Sequence, residues 1–112
     1  MEQLQIINTL KDVGVKPSLT GFKYLVRAIQ EYESCDYRME AIYNTIVHQY
    51  SVTRGSVERA IRHSIQICFA RTMNDPIWTK YFSNTIDCDK GKPTNKEFIA
   101  CIAQYLSTRE AK

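Results

Sequence analysis

The sequence predicts an all-α fold, a compact bundle of five or six helices containing a helix-turn-helix. Two observations carry that reading. Apolar residues recur three and four apart along most of the chain, as one buried helix face requires, and no convincing hairpin interrupts them. Helix starts and stops are marked by capping side chains, glycine and proline.

Leu4, Ile7 and Leu10 mark an amphipathic first helix that ends near Gly14, and Lys16-Pro17-Ser18 forms the connecting loop. Phe22, Leu25, Val26 and Ile29 mark a second helix, with Tyr32 continuing its apolar side. Met39, Ile42, Tyr43 and Ile46 belong to a third, which opens the helix-turn-helix at about residues 39–72. Val52 falls in the turn, and Val57 and Ile61 return on one face of the fourth helix. Thr53 is its expected N-cap, because a threonine hydroxyl accepts from a backbone N–H two or three residues later. The fourth helix therefore begins near Arg54 and ends near Thr72. Val47 sits where such motifs often need a small residue, and Ser51 where glycine is frequent, so a slightly wider or differently capped turn is expected. Asn74-Asp75-Pro76 breaks the chain, Ile77 to Phe82 reads as a short helix, and Thr85 to Lys92 as a loop. Thr94 and Glu97 form a capping box, T-x-x-E, opening a last helix that carries Phe98, Ile99, Ile102 and Leu106.

The outer side of the fourth helix carries the chemistry. Gly55, Glu58, Arg59, Arg62 and His63 project there, with Arg59 three and Glu58 four residues before Arg62 on a shared face. An arginine can donate two parallel hydrogen bonds to guanine O6 and N7, and a carboxylate can accept from the cytosine amino group. Glu58, Arg59 and Arg62 are thus expected to contact bases in the major groove of double-stranded DNA. Arg54, at the helix start, suits a phosphate, and Gly55 lets the backbone approach closely. The bland alternative is a solvated face with intrahelical Glu/Arg pairs, which the helix-turn-helix spacing outweighs.

At 112 residues, 44% hydrophobic and 24% charged, the chain fits a single globular domain spanning 1–112. The net charge of +3 is mild, but Arg54, Arg59, Arg62 and Arg71 against Glu58 place an equal excess within the motif region. Positive charge gathered on one region is the footprint expected of a nucleic-acid binder. No apolar run reaches the roughly 20 residues that a membrane span needs, and Met1-Glu2-Gln3 does not open a basic, apolar secretion signal. A cytoplasmic location is expected, nucleoid-associated when DNA is bound. Cys35, Cys68, Cys88 and Cys101 lack metal-ligand spacing and read as free thiols, with Cys68 and Cys101 in the core.

Three blocks give the chain a specific resemblance: GFKYLVRAI from Gly21, SVERAIRH from Ser56, and KPTNKEFIA from Lys92. In order and interval they resemble the C-terminal effector domain of the sporulation response regulator family, stage-zero sporulation protein A, from about Gly14 to Leu106. The resemblance implies a helical domain that binds short asymmetric DNA elements, commonly in tandem, to activate or repress transcription. It implies base contacts from Glu58, Arg59 and Arg62, and places His63 near the DNA backbone with the helix-start group of Arg54, Gly55 and Ser56. Ser56 stands where the family usually carries an arginine used on DNA, which implies lower affinity or an altered element. Lys92 and Lys96 are candidates for additional phosphate contacts. Partners implied are DNA, a second copy on DNA, and an RNA polymerase sigma factor. The usual N-terminal receiver domain is expected to be absent.

No enzyme is expected, and no cofactor or metal. His48 and His63 are the only histidines, and His48 has no obvious cysteine or carboxylate partner at ligand spacing. Tyr24, Tyr32, Tyr43, Tyr50, Tyr81 and Tyr105 are phased for core or edge packing rather than base stacking. The competing functional class is a helical protein-interaction module that pairs with or antagonises another regulator. Ile77, Trp78, Tyr81 and Phe82 would then form its aromatic patch.

Overall fold

The computed structural model describes residues 2–72, 76 and 93–110. Five helices lie among them: α1 (Gln3–Val13), α2 (Thr20–Glu31), α3 (Met39–Tyr50), α4 (Arg54–Thr72) and α5 (Asn95–Glu110). The described residues contain no strand. The short helix and loop expected between Ile77 and Lys92 lie outside them, as do Trp78 and Cys88.

The α2 helix is the hub, packing against all four of the others. Its sequence explains this, since Gly21, Phe22, Tyr24, Leu25, Val26, Ala28 and Ile29 are all buried. A helix that meets neighbours on several sides must be apolar over more than one stripe. The closest approach is to α4 at Gly21. A Cβ there would collide with the Ala60 carbonyl oxygen and the Ser64 hydroxyl, so only glycine admits this crossing. Ser64 is fully buried, and its hydroxyl donates to the Ala60 carbonyl at 3.0 Å, which satisfies it without a partner from α2.

In α1 the buried stripe differs from the expected one. Ile6, Leu10 and Val13 are buried, whereas Leu4 is 63% exposed and Ile7 half-buried. Spacings of four and three make 6-10-13 as regular a stripe as 4-7-10. The first is the one that faces the bundle. The helix ends at Gly14 as expected: with φ at 111°, Gly14 donates to the Leu10 and Lys11 carbonyls, and Val15 adds a bond to Leu10. A left-handed residue after the last turn satisfies carbonyls that would otherwise lack donors.

Phe98, Ile99, Ile102 and Leu106 of α5 are buried with Cys101 and Ala103. The capping box is formed in both directions, with Thr94 Oγ1 accepting from Glu97 N at 3.1 Å and Glu97 Oε1 from Thr94 N at 2.9 Å. Cys68 and Cys101 are buried and unbridged, and Cys35 is a half-buried free thiol. No helix among the described residues is long and apolar enough to cross a membrane.

Candidate nucleic-acid interface

The helix-turn-helix is α3, the turn at residues 51–53, and α4. Ile42, Tyr43 and Ile46 bury one face of α3, and Val57, Ile61 and Ile65 the facing side of α4. The turn is tight and unusually capped. Ser51 takes a left-handed conformation, φ 54° and ψ 48°, at a position that glycine would fill without strain. Its N–H closes α3 on the Val47 carbonyl. Thr53 then caps α4, its hydroxyl accepting from Ser56 N at 3.1 Å. Val47 is half-buried rather than clashing, so the motif accommodates its larger side chain.

Burial of one side of α4 leaves the other to solvent. Arg54, Arg59, Arg62 and His63 are exposed, and Gly55, Ser56 and Glu58 are half-buried. The three sequence-expected base contacts, Glu58, Arg59 and Arg62, therefore lie along one accessible run of the helix. A Cβ on Gly55 would touch only the Arg59 guanidinium, at 3.3 Å, the movable end of a long side chain. Packing within the protein thus does not demand glycine there.

Electrostatics at the helix start are organised by one pair. Arg54 Nε donates to Glu58 Oε1 at 3.0 Å, one turn along the helix, and the Arg54 guanidinium lies over the Tyr43 ring, 5.3 Å from its centre. Both ionic side chains are a third or more exposed, so the pair contributes little to stability. Its consequence is geometric: two groups expected at DNA are held together before DNA arrives. Burial pushes the Tyr43 hydroxyl above its ordinary pKa, against the Asn95 hydrogen bond that lowers it, so the phenol stays neutral.

Arg71 does not belong to this surface. Its Nη1 reaches the Gly14 carbonyl at 3.5 Å, at the other end of α4. Seventeen residues separate it from Arg54, about 25 Å at the helical rise. There it meets the negative end of the α1 dipole. This exposed face therefore carries Arg54, Arg59 and Arg62 against Glu58, an excess of two positive charges before His63, rather than the three expected from sequence.

The start of α5 adds a residue that the sequence did not single out. Asn95 Nδ2 donates to the Tyr43 hydroxyl at 3.1 Å and to the Glu58 carbonyl at 3.2 Å. The N-terminus of α5 is thereby tied beside the first turns of α4, and the next residue, Lys96, is exposed. Lys92 lies outside the described residues. Among the described residues, Tyr24 meets Tyr50 and Tyr32 meets Tyr37, ring centres 5.3 and 5.1 Å apart, both edge-to-face, and Tyr81 lies outside the described residues. His48 is exposed on α3, and no group of three metal-ligating side chains occurs among the described residues.

A family model described as the sporulation initiation factor Spo0A C terminal matches residues 6–106. The chain belongs to this family. It is a family of DNA-binding effector domains of sporulation response regulators, and it is matched here by nearly the whole chain, including α3, α4 and most of α5. The match spans both helices of the motif and the α5 start that is tied to them.

Proposed function

We propose that this chain is a sequence-specific reader of double-stranded DNA and a transcription regulator that inserts α4 into the major groove. The observation that carries the reading is that α4 buries Val57, Ile61 and Ile65 while presenting Arg59, Arg62 and His63 to solvent, within a family of DNA-binding domains. Glu58, Arg59 and Arg62 read base edges. Arg54, Gly55, Ser56 and His63 meet the sugar-phosphate backbone at the helix start and flank, with Lys96 and Lys92 adding phosphate contacts. Glu58 Oε1 is taken by Arg54, and its second carboxylate oxygen serves a cytosine amino group.

Family membership supports short, tandem elements, a second copy alongside on DNA, and contact with an RNA polymerase sigma factor. It supports a cytoplasmic protein that gathers on the nucleoid. The experiment compares wild type and Arg62→Ala on the duplex that the protein selects from a randomised pool. Arg62→Ala is expected to lose ~1–3 kcal/mol on that duplex and to relax the preference at one position. Its melting temperature should stay near that of wild type, because Arg62 is exposed. Unchanged DNA affinity in a folded Arg62→Ala protein would mean that α4 does not read through this face. A helical module that serves a protein partner would give that result.

A further inference from the structure

We propose that Asn95 is a positioning residue of the reading surface, which locks α5 to both helices of the motif and sets where Arg54 and Glu58 stand. The inference rests on the DNA-reading function above.

One amide nitrogen joins three helices. Its two hydrogens go to the Tyr43 hydroxyl on α3 and the Glu58 carbonyl on α4, residues 52 and 37 positions away in the chain. A backbone carbonyl can only accept, which places the amide nitrogen rather than its oxygen on that side. Each acceptor also supports the reading surface. Tyr43 is the ring beneath the Arg54 guanidinium, and Glu58 is the carboxylate that holds it. Fixing the Tyr43 ring and the Glu58 backbone fixes both supports of Arg54. A DNA-contacting group that is held in place before binding gives up less side-chain freedom on binding.

Asn95 is not needed to start α5. Thr94 and Glu97 cap that helix between themselves. This separates a positioning role from a structural one, because replacing Asn95 leaves the capping box intact. Asn95→Asp keeps the size, places an acidic group favourably in the first helical turn, and removes both donors.

The test measures affinity for the selected duplex and for a scrambled duplex of equal length, using wild type, Asn95→Ala, Asn95→Asp, Tyr43→Phe and the Asn95→Ala/Tyr43→Phe double variant. Asn95→Ala should lower the ratio of selected to scrambled affinity roughly threefold to tenfold, the scale of lost hydrogen bonds. Its scrambled-duplex affinity should fall by less, because the Arg54 phosphate contact serves both duplexes and the Glu58 base contact only the selected one. Asn95→Asp should lose at least as much of that ratio, with an unchanged melting temperature. Tyr43→Phe should lose part of the ratio and add little in the Asn95→Ala background, since the two share one hydrogen bond. In the free protein, the Arg54 Nε–H should exchange with solvent faster in Asn95→Ala than in wild type. A wild-type ratio in Asn95→Ala overturns the positioning role while leaving DNA reading intact. Equal weakening on both duplexes with a fall in melting temperature overturns it in favour of plain structural support. If wild type itself shows no preference, the DNA-reading function fails first and the positioning role with it.

Discussion

At the scale of single residues, the informative side chains are those whose neighbours limit what they can do. Arg71 and Arg62 are both arginines on α4, yet one is committed to the end of α1 and the other is free to meet a partner. Periodicity could not separate them, because the Gly14 carbonyl that draws Arg71 is 57 residues distant in the chain. Asn95 was hidden for the same reason: an asparagine in the first turn of a helix reads as ordinary capping chemistry, and its two acceptors belong to other helices. Cys68 was legible as core, since it falls in phase with Val57, Ile61 and Ile65. Burial pushes its thiol up to about 11, against the smaller lowering effects of Thr72 and Arg71. The neutral thiol is therefore favoured by the fold, and the unfolded chain releases the proton first. The stability that this group contributes is complete below its ordinary pKa near 9 and declines as pH rises toward 11. Cys68→Val should remove that decline. Urea unfolding at pH 8 and pH 11 is expected to show wild type losing roughly 2 kcal/mol more than Cys68→Val. Equal losses would mean that the Cys68 thiol is not held neutral by the fold.

At the scale of elements, boundaries followed local chemistry and were legible, whereas facing directions followed neighbours and were less so. The starts of α4 and α5 were expected from Thr53 and from Thr94 with Glu97, and the caps are formed. The end of α1 at Gly14 was likewise visible, because a left-handed terminator is a local requirement. Which stripe of α1 faces inward was not, since Leu4, Ile6, Ile7, Leu10 and Val13 accommodate two phases, and only the position of the rest of the bundle selects one. The segment before α3 carried no readable signal: Asp36 and Tyr37 both adopt positive φ, 57° and 62°, without a glycine to announce it. Ser51 is the intermediate case, a serine doing at φ 54° what glycine commonly does, so the turn was expected but its closure was not. The α2–α4 crossing provides the element-scale prediction. Gly21→Ala places a methyl against the Ala60 carbonyl and Ser64 hydroxyl, so the two helices must separate. A loss of about 1–3 kcal/mol or more is expected from the shift in urea midpoint, the range for overpacked cores. Because α4 is the helix displaced, affinity for the selected duplex should fall as well. A stable Gly21→Ala protein with wild-type DNA binding would mean that this crossing does not set the position of α4.

At the scale of the whole molecule, a mild net charge conceals an asymmetric surface. The chain carries +3 over 112 residues, and two of those positive charges in excess lie within the first three turns of one exposed helix face. Such a face attracts the DNA backbone through counterion release, which carries no sequence information and weakens as salt rises. In the proposed reading, selectivity comes from Glu58, Arg59 and Arg62 meeting base edges, with α3 and α5 holding α4 in place. The all-helical architecture and the motif were legible from spacing alone, and the three sequence blocks led to the family that the match over residues 6–106 establishes. What the spacing left open is how the bundle supports the reading helix, because that support is made by contacts between distant parts of the chain.

The most direct measurement is fluorescence anisotropy of the wild-type protein with its selected duplex and with a scrambled duplex, both at one near-physiological salt concentration. Sequence-specific reading predicts a preference of about 10³-fold or more for the selected duplex. Equal, weak binding to both would contradict it.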